Sequence, residues 1–160
     1  MNIFAISGNE ETGEIDWVQS ARDIDDLRCS KMFLESLQLL STALNVNGME
    51  GPYRSFNPKH PSCMWVSESF QNFQQLLVYT KELEAEYHRR YDNKHHKCSD
   101  ALKSLVYDRY AFPLVYHSTP LRLAMPEEFK SDNPVVSYRR YWISKRLVYK
   151  RARQPEWVMR

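Results

Sequence analysis

Apolar residues recur at helical spacing along much of the chain, and residues 26–46 show the most informative version of this pattern. A single line of polar side chains follows steps of three or four residues there, which stacks them on one face of a helix. The line consists of Arg28, Lys31, Glu35, Gln38 and Thr42. The rows on either side of it are apolar. A helix that merely covers a core has a broad solvated face, so this narrow polar line is typical of a helix that lines a cleft.

Glu35 is the candidate catalytic residue of this polar line. Between Lys31 and Gln38, its carboxylate would be oriented and held ionised in a partly dry site, where it could stabilise a cation or act as a base. The alternative is an ordinary surface pair with Lys31, which contributes only about 0.2–0.5 kcal/mol to helix stability.

The rest of the pattern predicts a helical protein with irregular connections. After the first helix, capped at Asp25 or Asp26, helices are predicted over 64–91, 99–108 and 134–152, with loops over 8–25 and 48–63 and an apolar strap over 110–123. Ser69 and Asn72 are expected to face the same cleft as Glu35. With only four glycines in 160 residues, we predict an all-α fold: a compact single-domain bundle (1–160) of about three long helices with long irregular connections.

Charge is distributed unevenly along the chain, although the net charge is only +2. Residues 1–27 carry a net charge of −6, and residues 133–160 carry +7. The basic end is interleaved with tyrosine and tryptophan, which suits contact with a nucleic-acid backbone and bases. A basic tail folding back on the acidic head would give the same totals. The candidate contacts to the DNA backbone are Arg139, Arg140, Lys145, Arg146 and Lys150.

Cysteine and histidine usage indicates neither a disulfide framework nor a metal centre. The three cysteines form no CxxC pair, and the cluster of His88, His95, His96 and Cys98 lies in a charged segment, where histidines are usually solvated. We predict no metal and no cofactor. Without a leader or an apolar run of 18 residues, we expect a cytoplasmic protein with no membrane contact, as a monomer or weak homo-oligomer.

Three stretches resemble the pyrimidine-dimer DNA glycosylase family of the bacteriophage endonuclease V type, and most closely small phage proteins assigned to it. DLRCSKMFLE places Asp26 and Glu35 nine residues apart, as in the family's D-x-H-x6-E pattern. KHPSCMWVSESFQNFQQLL is similar to the start of its long middle helix. AMPEEFKSDNPVVSYRRYWISKRLVYKRARQPEW is similar to an IPQEF turn, a basic helix and a closing RPxW.

The resemblance implies a bundle of three long helices and base excision on DNA. In that family, the N-terminal α-amine attacks the sugar C1′ of a damaged nucleotide, an imine forms, and β-elimination cuts the strand with help from the helix-borne glutamate. Here Glu35 would be that glutamate and Met1 would supply the amine. The substrate contacts would be Asn2, Arg28, Lys31, Gln38, His60, Ser69 and Asn72.

Two other functions remain open. The chain has Arg28 where the family has histidine and Leu34 where it has arginine, so a relative without catalysis could bind or sequester a nucleotide in the same cleft. The other possibility is a structural role as a DNA-coating protein with no ligand in a cleft. The expected partner is therefore double-stranded DNA or a nucleotide.

Overall fold

Six α-helices and three short 3-10 turns form the regular structure of the computed structural model, which describes residues 2–159. The helices are α1 (Trp17–Arg22), α2 (Cys29–Val46), α3 (Pro61–Glu68), α4 (Phe70–Arg90), α5 (Lys97–Lys103) and α6 (Pro134–Ile143). The 3-10 turns are Arg109–Ala111, Glu127–Phe129 and Glu156–Met159. Residues 2–159 contain no strand, only an isolated bridge between Gly8 and Ile15. The prediction of an all-α protein is confirmed.

Helices α2 and α4 form the centre of the molecule. They pack against each other, with α3 against both, α1 on α4 and α5 on α2. The chain's opening is part of the same core, since Ile3, Ala5 and Ile6 are fully buried. This burial brings the N-terminal segment alongside the helices that carry the predicted site. No helix within residues 2–159 combines the length and apolarity needed to cross a membrane.

Only two helices are long, α2 with 18 residues and α4 with 21, so the expected count of about three is not met. The helix predicted over 64–91 is divided at Ser69, whose backbone is extended (φ −150°, ψ 137°). The Ser69 hydroxyl accepts a hydrogen bond from the Gln71 N–H, which caps α4, and donates to the His117 carbonyl at 2.8 Å. The break therefore fixes the strap to α4.

The first long helix begins at Cys29, three residues later than predicted. Neither Asp25 nor Asp26 is the cap, and the residue at that position, Arg28, makes no capping hydrogen bond through its side chain. The prediction of an aspartate cap is wrong, because both carboxylates accept hydrogen bonds from the end of the chain.

The acidic segment before α2 holds the chain's basic tail through main-chain amides. Asp25 accepts a hydrogen bond from the Val148 N–H at 3.0 Å. Asp26 accepts from the N–H groups of Lys150 and Arg151 at 2.6 and 2.7 Å. These amides cannot also belong to a helix, so α6 ends at Ile143 and the predicted helix over 134–152 is too long. The tail does fold back on the acidic head.

The end of α4 is fixed to the same acidic segment by Arg90, whose side chain is 2% exposed. Its guanidinium donates to the carbonyls of Ile24 at 2.6 Å and Arg22 at 2.8 Å. It also donates to the Glu86 carboxylate at 2.9 Å. Arg90 thus supplies donors to two main-chain carbonyls and, together with Arg89, to the buried Glu86 carboxylate.

Three smaller predictions differ from the structure. Helix α1 lies within the predicted loop over 8–25, with Asp16 as its cap. The fifth helix begins at Lys97 with His96 as its cap, instead of Ser99. The strap buries Phe112, but its neighbour Tyr110 is 80% exposed, so it covers the core only in part.

Candidate functional site

Glu35 points partly into the protein. Its side chain is 14% exposed, whereas that of Lys31, one turn earlier on α2, is 68% exposed. The Lys31 Nζ lies 3.6 Å from Glu35 Oε1, so the ammonium covers the carboxylate on the solvent side. A fully solvated surface pair would leave both side chains exposed. The burial of Glu35 therefore favours a carboxylate that lines a site.

Two side chains from other elements lie within electrostatic reach of Glu35. Burial raises the pKa of Tyr79 on α4, and the Glu35 carboxylate adds to that effect. Burial lowers the pKa of His60, which precedes α3, and Glu35 opposes that change. The main chain of Phe4 also influences the pKa of Tyr79, so the N-terminal segment passes close to the same place. Glu35 thus acts on the pKa of His60 and of Tyr79, and Tyr79 lies beside the main chain of Phe4 in the chain's opening.

His60 is held in one orientation by its position at the start of α3. Its Nδ1 accepts a hydrogen bond from the Ser62 N–H at 3.2 Å, and Pro61 occupies the first turn. Because the pKa of His60 is lowered, the imidazole is neutral at pH 7, and the proton then resides on Nε2. Near Glu35, His60 can therefore donate a hydrogen bond to a ligand while Glu35 accepts one.

Asn2 anchors the chain's opening and is only 8% exposed. Its amide donates to the Ala124 carbonyl at 2.7 Å, and its oxygen accepts from the Tyr138 hydroxyl at 2.9 Å. With both ends of the amide engaged, Asn2 positions the first residues of the chain against α6. The predicted role of Met1 falls outside the described residues.

The residues at the two ends of the polar line of α2, Arg28 and Thr42, contact other parts of the protein. At one end, Arg28 pairs with Asp25 at 2.9 Å and lies over the Trp142 ring, 5.2 Å from its centroid. At the other end, the Thr42 hydroxyl accepts a hydrogen bond from the Phe56 N–H at 3.0 Å. Gln38 is half-buried between Glu35 and Thr42. Arg28 keeps 20% of its side chain exposed despite these contacts, so Thr42 is the one member of the line that is buried.

Ser69 and Asn72 were expected at the same cleft, but both hold the strap in place. The Asn72 amide donates to Thr119 Oγ1 at 2.7 Å and to the Trp65 carbonyl at 2.8 Å, and Asn72 is fully buried. The Ser69 hydroxyl binds the strap at His117. The structure does not bring these side chains to Glu35.

The cationic residues near the C terminus divide into two groups. Arg139 is used internally: it donates to the Ile6 carbonyl at 2.8 Å and pairs with Glu10. Arg140, Arg146 and Lys150 are exposed, and none of them forms an ion pair with any described residue. These three residues and Lys145 define what we call the cationic face. Asp25 and Asp26 bind the tail through main-chain N–H groups, and neither forms an ion pair with Arg140, Arg146 or Lys150.

An aromatic group that the sequence did not indicate lies beside the cationic face. Phe4 stacks on Tyr141 with ring centroids 6.2 Å apart, and the ring of Phe129 is tilted against Tyr141 with centroids 5.3 Å apart. The Lys145 Nζ lies 3.6 Å from the Tyr141 ring centroid. Periodicity in 134–152 pointed to Tyr141, but nothing in the sequence pointed to Phe4 as its partner. This contact connects the cationic face to the N-terminal segment beside Glu35.

The histidine and cysteine cluster has a structural role. His96 Nδ1 accepts the Cys98 N–H at 3.1 Å, and its Nε2 lies 2.9 Å from the Ser30 hydroxyl. Because Nδ1 is an acceptor, Nε2 carries the proton of the neutral ring, so His96 cannot act as a base toward Ser30. Within residues 2–159 there is no group of three or more metal-ligating side chains that could hold an ion.

Comparison with protein-family models, with curated proteins and with solved structures finds no match for this chain.

Proposed function

We propose that this protein binds double-stranded DNA through the cationic face and excises a damaged or modified pyrimidine at a site that contains Glu35. The observation that carries the proposal is a largely buried carboxylate, Glu35, on the same helix whose start contacts exposed cations that form no ion pair with residues 2–159. Exposed cations bind phosphate by releasing counterions, and they position a duplex without reading its sequence. A carboxylate in a partly dry site supplies charge for a reacting sugar.

Arg28 connects these two features. Its guanidinium donates to the Arg146 carbonyl at 3.1 Å, which places the start of α2 against the cationic face. Glu35 lies seven residues further along α2, or about 10 Å at 1.5 Å per residue. A nucleotide whose backbone phosphates rest on the cationic face would therefore lie within one to two nucleotide lengths of the carboxylate.

The proposed reaction is glycosidic bond cleavage with possible lyase activity. The N-terminal amine attacks the sugar C1′ as the bond to the base breaks, and the amine gives up a proton. The C1′–O4′ bond then breaks and O4′ takes a proton, which opens the sugar ring and leaves a protonated imine to the protein. Removal of a C2′ proton then breaks the C3′–O bond, and water hydrolyses the imine to restore the amine. Glu35 would stabilise the cationic imine and accept the proton, while the His60 Nε2–H would donate to the sugar or the departing base.

A second candidate is a protein that binds a nucleotide in the same place and returns it intact. The pairing of Glu35 as an acceptor with neutral His60 as a donor favours it, because such a pair can read the edge of a base without chemistry. An open surface suits a polymer better, however, and Glu35 does not line any of the five cavities described for the molecule.

Reductive trapping tests the reaction directly. We expect borohydride to link the protein covalently to duplex DNA that contains an abasic site, because it reduces the imine to a stable amine. Intact mass of the protein, followed by peptide mapping of the adduct, identifies the amine that reacted. Absence of an adduct with both abasic and modified duplexes would remove the lyase activity and leave nucleotide binding as the function.

The cationic face is tested by removing three charges. The triple variant Arg140→Ala, Arg146→Ala, Lys150→Ala should bind duplex DNA at least about tenfold more weakly and lower the salt slope of log K by about 3, since each lost phosphate contact removes about 0.9. Fluorescence anisotropy over a range of salt concentrations measures both quantities. A control with the same charge change, at the exposed Lys81, Lys94 and Lys103, should bind like the natural protein. Equal weakening in the two variants would show only a general effect of charge.

A further inference from the structure

A cavity of about 490 Å³ lies on a part of the molecule that the proposed function does not use. Three segments form its walls: the turn that leads into α1, the strap, and the residues before α6. Its floor is a pair of stacked indoles, Trp17 and Trp65, whose ring centroids are 5.5 Å apart. Trp65 is buried, whereas Trp17 is half-buried. Cavities of this size and composition hold small organic molecules.

Each wall of the cavity is fixed by its own contacts. The Trp65 Nε1–H donates to the Thr119 carbonyl at 3.0 Å, which pins the strap to the floor. Gln75 donates to the Ser118 hydroxyl at 2.9 Å and fixes the strap's rim. Gly13 approaches Pro134 so closely that an added Cβ would lie 3.2 Å from its ring. The cavity is therefore preformed, so a ligand need not order these segments on binding.

The charges that line the cavity have one sign. Glu14 and Asp132 are at its rim, and no lysine, arginine or histidine of residues 2–159 lines it. Neither carboxylate side chain has a hydrogen bond or ion pair with a described residue. Two unneutralised carboxylates disfavour an anion and attract a cation. The exposed face of an indole is also the strongest aromatic partner for a cation.

We propose that this cavity binds a small organic ammonium ion, with its apolar body on Trp17 and its charge toward Glu14 and Asp132. The same two carboxylates disfavour phosphate-bearing ligands, and no residue of the cationic face lines the cavity. Its position on the strap and α1 also makes it independent of Glu35.

The test uses a cation and its neutral isostere on the full-length protein. Choline and 3,3-dimethyl-1-butanol have nearly the same shape but differ in charge. We expect choline to change the tryptophan fluorescence in a saturable titration, with a Kd at least tenfold lower than that of the alcohol. Equal affinity for the two probes would overturn the ammonium site. The absence of a saturable response to choline up to 10 mM, which is on the order of the weakest affinities relevant here, would also overturn it.

Substitutions in the cavity test whether the change in tryptophan fluorescence comes from ligand bound there. The double variant Glu14→Gln, Asp132→Asn should weaken choline binding at least fivefold without affecting the alcohol, and Trp17→Leu should weaken both probes. Glu11→Gln is the matched control, since Glu11 is exposed in the same turn and does not line the cavity. If Trp17→Leu does not fold, the choline affinity of the double variant alone tests the proposal. If the double variant binds choline with the same affinity as the natural protein, the fluorescence change arises at another site and the proposal is overturned.

Discussion

Replacing Glu35 with glutamine should lower strand cutting at an abasic site by about 10²- to 10³-fold and leave DNA binding within about twofold of the natural protein. Glutamine has the same shape but neither carries the negative charge nor accepts a proton. In the proposed function the cationic face supplies most of the affinity for DNA, so binding should persist. Single-turnover cutting of an abasic duplex measures the first quantity, and fluorescence anisotropy measures the second.

Glu11→Gln is the control for this substitution, because it removes the same charge from an exposed position. The Glu11→Gln variant should cut the abasic duplex at the rate of the natural protein. A Glu35→Gln variant that folds normally and also cuts at the natural rate would remove Glu35 from the chemistry.

Replacing Arg90 with methionine should lower the free energy of unfolding by about 3–5 kcal/mol. Methionine has a similar length but removes the hydrogen bond to Glu86 Oε2 at 2.9 Å, which leaves the buried Glu86 carboxylate with Arg89 as its remaining cation among residues 2–159. It also leaves the carbonyls of Arg22 and Ile24 without a donor. Urea unfolding followed by circular dichroism measures the change as a shift of the midpoint.

Arg89, the next residue to Arg90, provides a control for the change in the free energy of unfolding. Arg89 is 52% exposed and pairs with Glu82 and Glu86 at the surface, so Arg89→Met should cost no more than about 1 kcal/mol. Similar losses at both positions would show that the buried hydrogen bonds of Arg90 are not what stabilises this end of α4.

The sequence predicted the helical class and the inward placement of Glu35, because both follow from spacing within one helix. The apolar rows beside Glu35 indicated that it faces other elements, although Lys31 in the same polar line is 68% exposed. The breaks in the helices were not predictable in this way. Ser69 ends α3 because it binds His117, 48 residues away along the chain, and no local pattern shows such a partner.

The same reason explains the predicted site residues whose side chains bind other parts of the protein. Asn2 and Asn72 are polar residues next to apolar ones, and the sequence does not distinguish a side chain that meets a ligand from one that meets a distant main chain. Asn2 binds Ala124, 122 positions away, and Asn72 binds Thr119, 47 positions away. The contact of Phe4 with Tyr141 was missed for the same reason.

The hydrogen bonds that Asp25 and Asp26 accept from the tail also have a consequence for biosynthesis. They join groups more than 120 residues apart, so they cannot form while the ribosome still encloses the tail. Until then, two carboxylates at the head of α2 lack partners that they have in the finished protein. Closing this loop is therefore a late step of folding, and it completes the surface that joins α2 to the cationic face.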